Sequence, residues 1–211
     1  YELGTDAEGN YDSDLGVEKL AKYAKEFGLG ETSGLEIPES EPQISDQYAV
    51  QSAIGQGTNN YTVSQLNRYV ATVANRGTGK TDSNGKIIKE CEPTVVNTMD
   101  EISSNSWDLV HQGMISMVQY DATFSGLDFS MAGKTGTAQQ STVHPDHALF
   151  VGFAPAEKPE IALAVRIANG YSSSYAAEIG RDIVRAKFNL TDKGELVTGH
   201  AAGLGTAIAG D

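Results

Sequence analysis

The sequence predicts an α+β fold in which a helical lobe precedes three antiparallel strands and a closing C-terminal helix. Three observations carry this. Apolar residues recur at three- and four-residue spacing over 17–27 and again over 66–74, the signature of amphipathic helices. After residue 128 the pattern changes to strand-like runs, the last alternating Ile161, Leu163, Val165 and Ile167 against Ala162, Ala164, Arg166 and Ala168. Pro155 to Pro159 leaves room only for a tight reversal, so the strands on either side should pair antiparallel. Helices first and strands later is an α+β order rather than a β-α-β alternation.

Taken in order, Ser13 or Asp14 is expected to cap the first helix. Its apolar face is Val17, Leu20, Ala21, Ala24 and Phe27, and Gly28 ends it in the left-handed conformation. Glu31 to Gln43 holds Gly34, Pro38 and Pro42 and reads as an extended connection, with the acidic run Glu36 to Asp46 as solvated surface. A short helix is expected from Asp46 to Ile54, broken by Gly55-Gln56-Gly57. Thr62 and Gln65 form a capping box for the next helix, whose face is Leu66, Tyr69, Val70, Val73 and Ala74 and which stops at Gly77. Asn84-Gly85 predicts a two-residue hairpin turn. Val110, Met114, Met117 and Val118 mark a helix over roughly 101–119, with Trp107 and the Met114/Met117 pair as core. Phe129 to Gln139, Ala148 to Ala154 and Glu160 to Ala168 are the strands. Ala176, Ile179, Gly180, Ile183 and Val184 give the last helix, to about Phe188.

Composition narrows the function. Lys plus Arg number 15 against 28 Asp plus Glu, a formal net charge of -13, and such a surface repels a phosphate backbone. No nucleic-acid partner is expected. The longest apolar stretch, Ile161 to Ala168, includes Arg166 and is far short of the roughly 20 residues that span a bilayer. Tyr1-Glu2-Leu3-Gly4 has no initiator Met and no signal-peptide pattern, so the start reads as the interior of a longer protein. The single Cys91 forms no internal disulfide. His144 and His147, with Asp146 between them and Pro145 breaking any regular spacing, read as loop residues rather than metal ligands.

The sharpest local feature is Gly133-Lys134-Thr135-Gly136-Thr137-Ala138-Gln139 on the first strand. A phosphate-binding loop would need Gly at position 128, which is Asp, and a helix to follow, where a strand follows instead. The better reading is an edge strand facing a cleft, where Gly136 lets the backbone pass close to a ligand. Lys134 supplies a positive charge for a carboxylate, Thr135 and Thr137 supply directed hydroxyls, and the Thr137 N–H can donate to a developing oxyanion.

Beyond this heptapeptide, Ser130-Met131-Ala132, His147-Ala148-Leu149-Phe150-Val151-Gly152-Phe153-Ala154-Pro155, Ile54-Gly55-Gln56-Gly57, Asn60-Tyr61-Thr62 with Gln65-Leu66, Lys22-Tyr23-Ala24 to Phe27-Gly28-Leu29-Gly30 and Gly34-Leu35-Glu36-Ile37-Pro38 stand in a familiar order. The chain resembles the penicillin-binding proteins, specifically the D,D-transpeptidase domain of the class B type, whose third motif is Lys-Thr-Gly. The resemblance covers roughly residues 1–189, with 1–128 the mainly helical part and 129–189 the sheet strands and last helix. Residues 190–211 are left as a flexible Gly/Ala-rich tail.

The resemblance implies a serine acyltransferase that cross-links peptidoglycan stem peptides ending in D-Ala-D-Ala, binds β-lactams and uses no metal or organic cofactor. It implies catalytic roles for Lys134 and for the Thr137 N–H, and substrate binding by Lys134, Thr135, Gly136 and Thr137. It also implies a place on the extracytoplasmic face of a bacterial membrane, with the anchor outside this chain and cell-division or elongation proteins as partners. Ser83-Asn84-Gly85-Lys86 and Ser103-Ser104-Asn105 mimic the two earlier motifs, Ser-x-x-Lys and Ser-x-Asn, but the first reads as an exposed turn and the second as the polar first turn of a helix. The nucleophile is therefore expected in a preceding N-terminal portion, or a second chain, that completes the fold, and this chain alone is expected to be inactive. The alternative is a non-catalytic scaffold or cell-wall binding module of the same fold.

Overall fold

The structure, a computed structural model, describes residues 2–81, 94–98, 101–140 and 142–188, with backbone only for 78–81 and 94–98. Helices α1 (Ser13–Glu26), α2 (Ala49–Ala53), α3 (Val63–Ala74) and α4 (Ser104–Tyr120) precede a sheet of β3 (Ala132–Ala138), β4 (His147–Ala154) and β5 (Ile161–Ile167), and α5 (Ser173–Lys187) closes it. A separate pair, β1 (Thr78–Thr81) and β2 (Thr94–Thr98), lies between α3 and α4 in sequence. The expected helical lobe, antiparallel strands and C-terminal helix are all present.

The sheet runs in the order β3-β4-β5 with both pairings antiparallel. Side chains alternate across it as a pleated strand requires. Ala148, Phe150 and Ala154 of β4 pack with Leu163 against Ala176, Ala177 and Val184 of α5. On the other face, Phe153 and Val151 of β4 join Ala132 of β3 against Val70, Val73 and Ala74 of α3 and Met114 of α4. Phe150 and Phe153 are both 0% exposed. The Phe150 ring sits where three glycines give it room. A Cβ on Gly133 or Gly180 would lie 2.5 Å from its atoms and one on Gly152 would lie 2.9 Å away. Trp107 and Met114 are buried, as the apolar spacing requires.

Several boundaries differ from expectation, each for a local reason. The cap of α1 is Asp12, whose carboxylate accepts from the N–H of Asp14 at 2.8 Å, so the helix starts one residue after it. The short helix begins at Ala49 rather than Asp46 because Tyr48 is left-handed, with φ 57. The α3 capping box of Thr62 and Gln65 forms as read. Thr78–Thr81 pairs antiparallel with Thr94–Thr98, as a hairpin requires, but the partner of Thr81 is Thr94, whereas a two-residue turn at Asn84-Gly85 would pair it with Ile88. The turn itself, with Ser83 and Lys86, lies outside the described residues, as do Cys91 and the tail over 190–211. β3 starts at Ala132 rather than Phe129, because Met131 is drawn into the α5-side core and Ser130 Oγ accepts instead from the Ala156 N–H at 3.0 Å.

The acidic run is not wholly solvated surface. Glu39 accepts from the Ser33 N–H at 2.8 Å, the Thr62 hydroxyl at 2.9 Å and the Ser64 hydroxyl at 2.6 Å, fastening the 31–43 connection to the start of α3. Arg68 of α3 fastens the same connection by donating to the carbonyls of Gly28, Glu31 and Thr32.

Candidate active site

β3 pairs with β4 along one edge only, and among the described residues no strand covers the other. Strand geometry sends the N–H and C=O of one residue to the same side, and alternate residues to opposite sides. Two contacts identify the outward set. Lys134 Nζ donates to the Thr135 carbonyl at 2.7 Å, and Gln56 Nε2 reaches the Thr137 carbonyl at 3.5 Å. Thr135 and Thr137 thus present their backbone amides and carbonyls to the open edge, while Lys134 and Gly136 bond inward to β4 opposite Val151 and Leu149. The Thr137 N–H faces outward, where an oxyanion donor has to face.

Lys134 and Thr137 are exposed, and Thr135 and Gly136 are half-buried. The four residues singled out from the sequence are consecutive on β3, Thr135 and Thr137 with their backbone groups outward and Lys134 and Gly136 with theirs towards β4. The two glycines of the motif have different reasons to be there. Phe150 requires Gly133, whereas a Cβ on Gly136 would meet only the Leu149 Cβ at an ordinary 3.5 Å. Packing among the described residues does not account for Gly136.

In the sequence Gln56 belongs to the helix break and to the string Ile54-Gly55-Gln56-Gly57, which assign it no role of its own. The turn that carries it is rigidly built. Gly55 and Gly57 have φ of 83 and 75, conformations that glycine adopts without strain. A Cβ on Gly57 would strike Ser52 Oγ at 2.6 Å and Ser45 Oγ at 2.9 Å. Those two hydroxyls are buried and lie 2.6 Å apart, and Ser45 Oγ also meets Thr58 Oγ1 at 3.0 Å. Asn59 Nδ2 donates to the Gln56 carbonyl at 3.0 Å and its Oδ1 accepts from the Tyr61 hydroxyl at 2.9 Å. Burial pushes the Tyr61 phenol up to about 12, so it stays a donor at ordinary pH. The sequence signal was the density of Ser, Thr and Asn around Gly-x-Gly, which marks a polar turn but not what it touches.

At the far end of β3, His147 is the first residue of β4 and buried, which corrects its reading as a loop residue. Its Nδ1 accepts from the Asn169 N–H at 3.0 Å, which leaves the proton on Nε2, donated to Gln140 Oε1. His147 therefore ties the chain leaving β3 to the turn between β5 and α5. Both ring nitrogens are occupied, His144 is exposed, and no cluster of metal-ligating side chains occurs among the described residues. Ser103 caps α4, accepting from the Ser106 N–H at 3.1 Å, so its hydroxyl serves the helix end as expected.

A helix-backed antiparallel sheet carries Lys-Thr-Gly on its open edge strand, the third sequence motif of the penicillin-binding proteins. The chain belongs to the penicillin binding protein transpeptidase domain family, whose profile matches residues 9–185. It is 31% identical over 205 residues to penicillin-binding protein 2B of Streptococcus pneumoniae, covering 81% of this chain and 30% of that protein. It is 30% identical over 207 residues to the peptidoglycan D,D-transpeptidase MrdA of Acinetobacter baumannii, covering 80% of this chain and 31% of that protein. Among solved structures, the complex between penicillin-binding protein PBP2 and MreC from Helicobacter pylori matches with a TM-score of 0.66 at 25% identity, over 82% of this chain and 36% of that one. The chain thus spans about a third of the length of these relatives. No helix among the described residues is long and apolar enough to cross a membrane.

Proposed function

We propose that this chain supplies the acyl-donor edge of a peptidoglycan D,D-transpeptidase that β-lactams also acylate. The observation that carries the reading is the open edge of β3, where the Thr137 N–H and C=O face outward beside the Lys134 ammonium. A stem peptide ending in D-Ala-D-Ala would lie along that edge. Lys134 would attract its terminal carboxylate, Thr135 and Thr137 would hydrogen-bond it, and Gly136 would let it approach the backbone. A serine hydroxyl would attack the penultimate carbonyl, giving an acyl-serine and releasing D-Ala with the serine proton. An amine of a neighbouring stem would then take the acyl group and restore the serine. The Thr137 N–H would be one oxyanion donor and the serine's own N–H the other.

The serine is proposed to lie in a segment that precedes this chain, or in a second chain. The outer edge of β5, which no strand covers among the described residues, supports an incomplete sheet, as does the apolar stripe of Tyr175, Ile179 and Ile183 on α5, exposed by 54%, 44% and 42%. The proposed setting is the outer face of a bacterial membrane with the anchor elsewhere, and the complex of the Helicobacter PBP2 with MreC supports a partner among the cell-division or elongation proteins. Labelling with a fluorescent penicillin tests the reading. The intact transpeptidase should be labelled, and Lys134→Ala should slow acylation about ten- to hundredfold, the worth of a charge-assisted contact. The 211-residue chain alone should stay unlabelled. Labelling of Ser83 in that chain would overturn the assignment of the nucleophile, and an unlabelled intact protein would favour a non-catalytic module.

A further inference from the structure

Gln56 occupies a position that an extended ligand would need. A peptide laid against a strand edge bonds to the outward carbonyls and amides of that strand, and the outward carbonyl nearest the oxyanion donor is that of Thr137, which Gln56 Nε2 already approaches at 3.5 Å. This distance is at the long end for a hydrogen bond and the contact is solvent-exposed, so the carboxamide is readily exchanged for a closer donor. The turn itself is not free to leave. The Gln56 N–H donates to the Gln51 carbonyl at 3.0 Å, its own carbonyl accepts from Asn59, and Gly57 is wedged against Ser45 and Ser52. Exchange at Thr137 therefore falls to the Gln56 side chain alone, with the backbone held as a fixed wall of the cleft.

We propose that Gln56 is a specificity-determining residue: in the free protein its carboxamide holds the Thr137 carbonyl, and it yields that acceptor only to ligands that bring an amide N–H of their own. This rests on the reading of the β3 edge as the acyl-donor site. Ligands with an acylamino group would displace Gln56 and bear the cost of doing so. Ligands that acylate without such an N–H would leave it in place and be indifferent to it.

The test compares benzylpenicillin, which has an acylamino N–H, with imipenem, which carries a hydroxyethyl group there instead, on the intact transpeptidase. Second-order acylation constants would be measured for the native protein, Gln56→Ala and Gln56→Met, the last keeping the length of the side chain without a donor. Both variants should raise the ratio of the benzylpenicillin to the imipenem constant about two- to threefold, the lower end of one net hydrogen bond for an exposed contact of 3.5 Å. An unchanged ratio of the two constants, or an equal fall in both, would overturn the proposal, and unaltered thermal unfolding would show that the comparison is made on folded protein. Lys134→Ala separates the two layers: if it fails to slow either ligand, the acyl-donor reading itself fails, whereas a slow Lys134→Ala with an unmoved ratio at Gln56 removes only the role of Gln56.

Discussion

The turn that carries Gln56 and the strand that carries Thr137 meet at one hydrogen bond, yet opposite chemistry holds them. The strand is placed by apolar packing. Phe150 and Phe153, on opposite faces of β4, are fully buried, and β3 lies flat on β4 because glycine stands wherever another residue would strike the Phe150 ring. The turn is placed by polar groups. Ser45, Ser52, Thr58 and Asn59 satisfy one another and the backbone around Gly57, while Glu39 and Arg68 fasten the preceding connection to α3. Helix α1, next to this region, buries only Gly16 fully and leaves its apolar face half-buried. The difference teaches where precision comes from in each half. Close packing fixes a strand because every displacement opens a void or a clash, whereas a hydroxyl cage fixes a turn because every displacement strands a buried polar group.

The largest expected effect breaks the packed side. Phe150→Ala should destabilise the fold by about 3–5 kcal/mol, near the upper end, because the surrounding glycines have no side chains with which to fill the hole. Denaturant unfolding measures it, and a loss below about 1 kcal/mol would contradict the view that Phe150 organises the sheet. On the polar side, Ser52→Ala should cost about 0.5–1.5 kcal/mol, the net worth of a lost hydrogen bond, because Ser45 Oγ and the Gln47 carbonyl lose their 2.6 Å partner but keep each other at 3.1 Å. If the cage matters as argued, that variant should also shift the benzylpenicillin-to-imipenem ratio towards that of Gln56→Ala, which a purely global destabilisation would not do.

The smallest effect concerns Glu39. Desolvation alone would raise its pKa, but hydrogen bonds from Ser64, Ser33 and Thr62 outweigh it and hold the carboxyl at about 2, against a reference of 4.5. Because the folded value is depressed, the stabilisation is complete above pH 4.5 and is lost as pH falls through 2. Once solvent screening is allowed for, the loss is about 1 kcal/mol, read as a difference in acid unfolding between the native protein and Glu39→Gln. Identical acid profiles would show that Glu39 fastens nothing.

Much of the candidate site was legible before folding. The Gly-Lys-Thr-Gly-Thr string is itself the strand β3 whose edge the fold leaves open among the described residues, and its residue types are a local property. Gln56 was not legible, because its partner Thr137 is 81 positions away. His147 was misplaced because Pro145 masks where β4 begins. Glu39 was hidden in an acidic run whose local chemistry suggests only solvation, and its three hydrogen-bond donors include two that come from α3 and its cap.

By itself, then, the sequence determined the α+β order, the helix faces, the three strands and the residue types of the candidate edge, all of which follow from periodicity, turn chemistry and short motifs. The tertiary structure decided which side of β3 is open, which backbone groups face it, and that a turn built of buried hydroxyls delivers Gln56 to the Thr137 carbonyl. Those are contacts between distant segments, and no local preference encodes them, because they exist only once the sheet, its helices and the polar connection pack together.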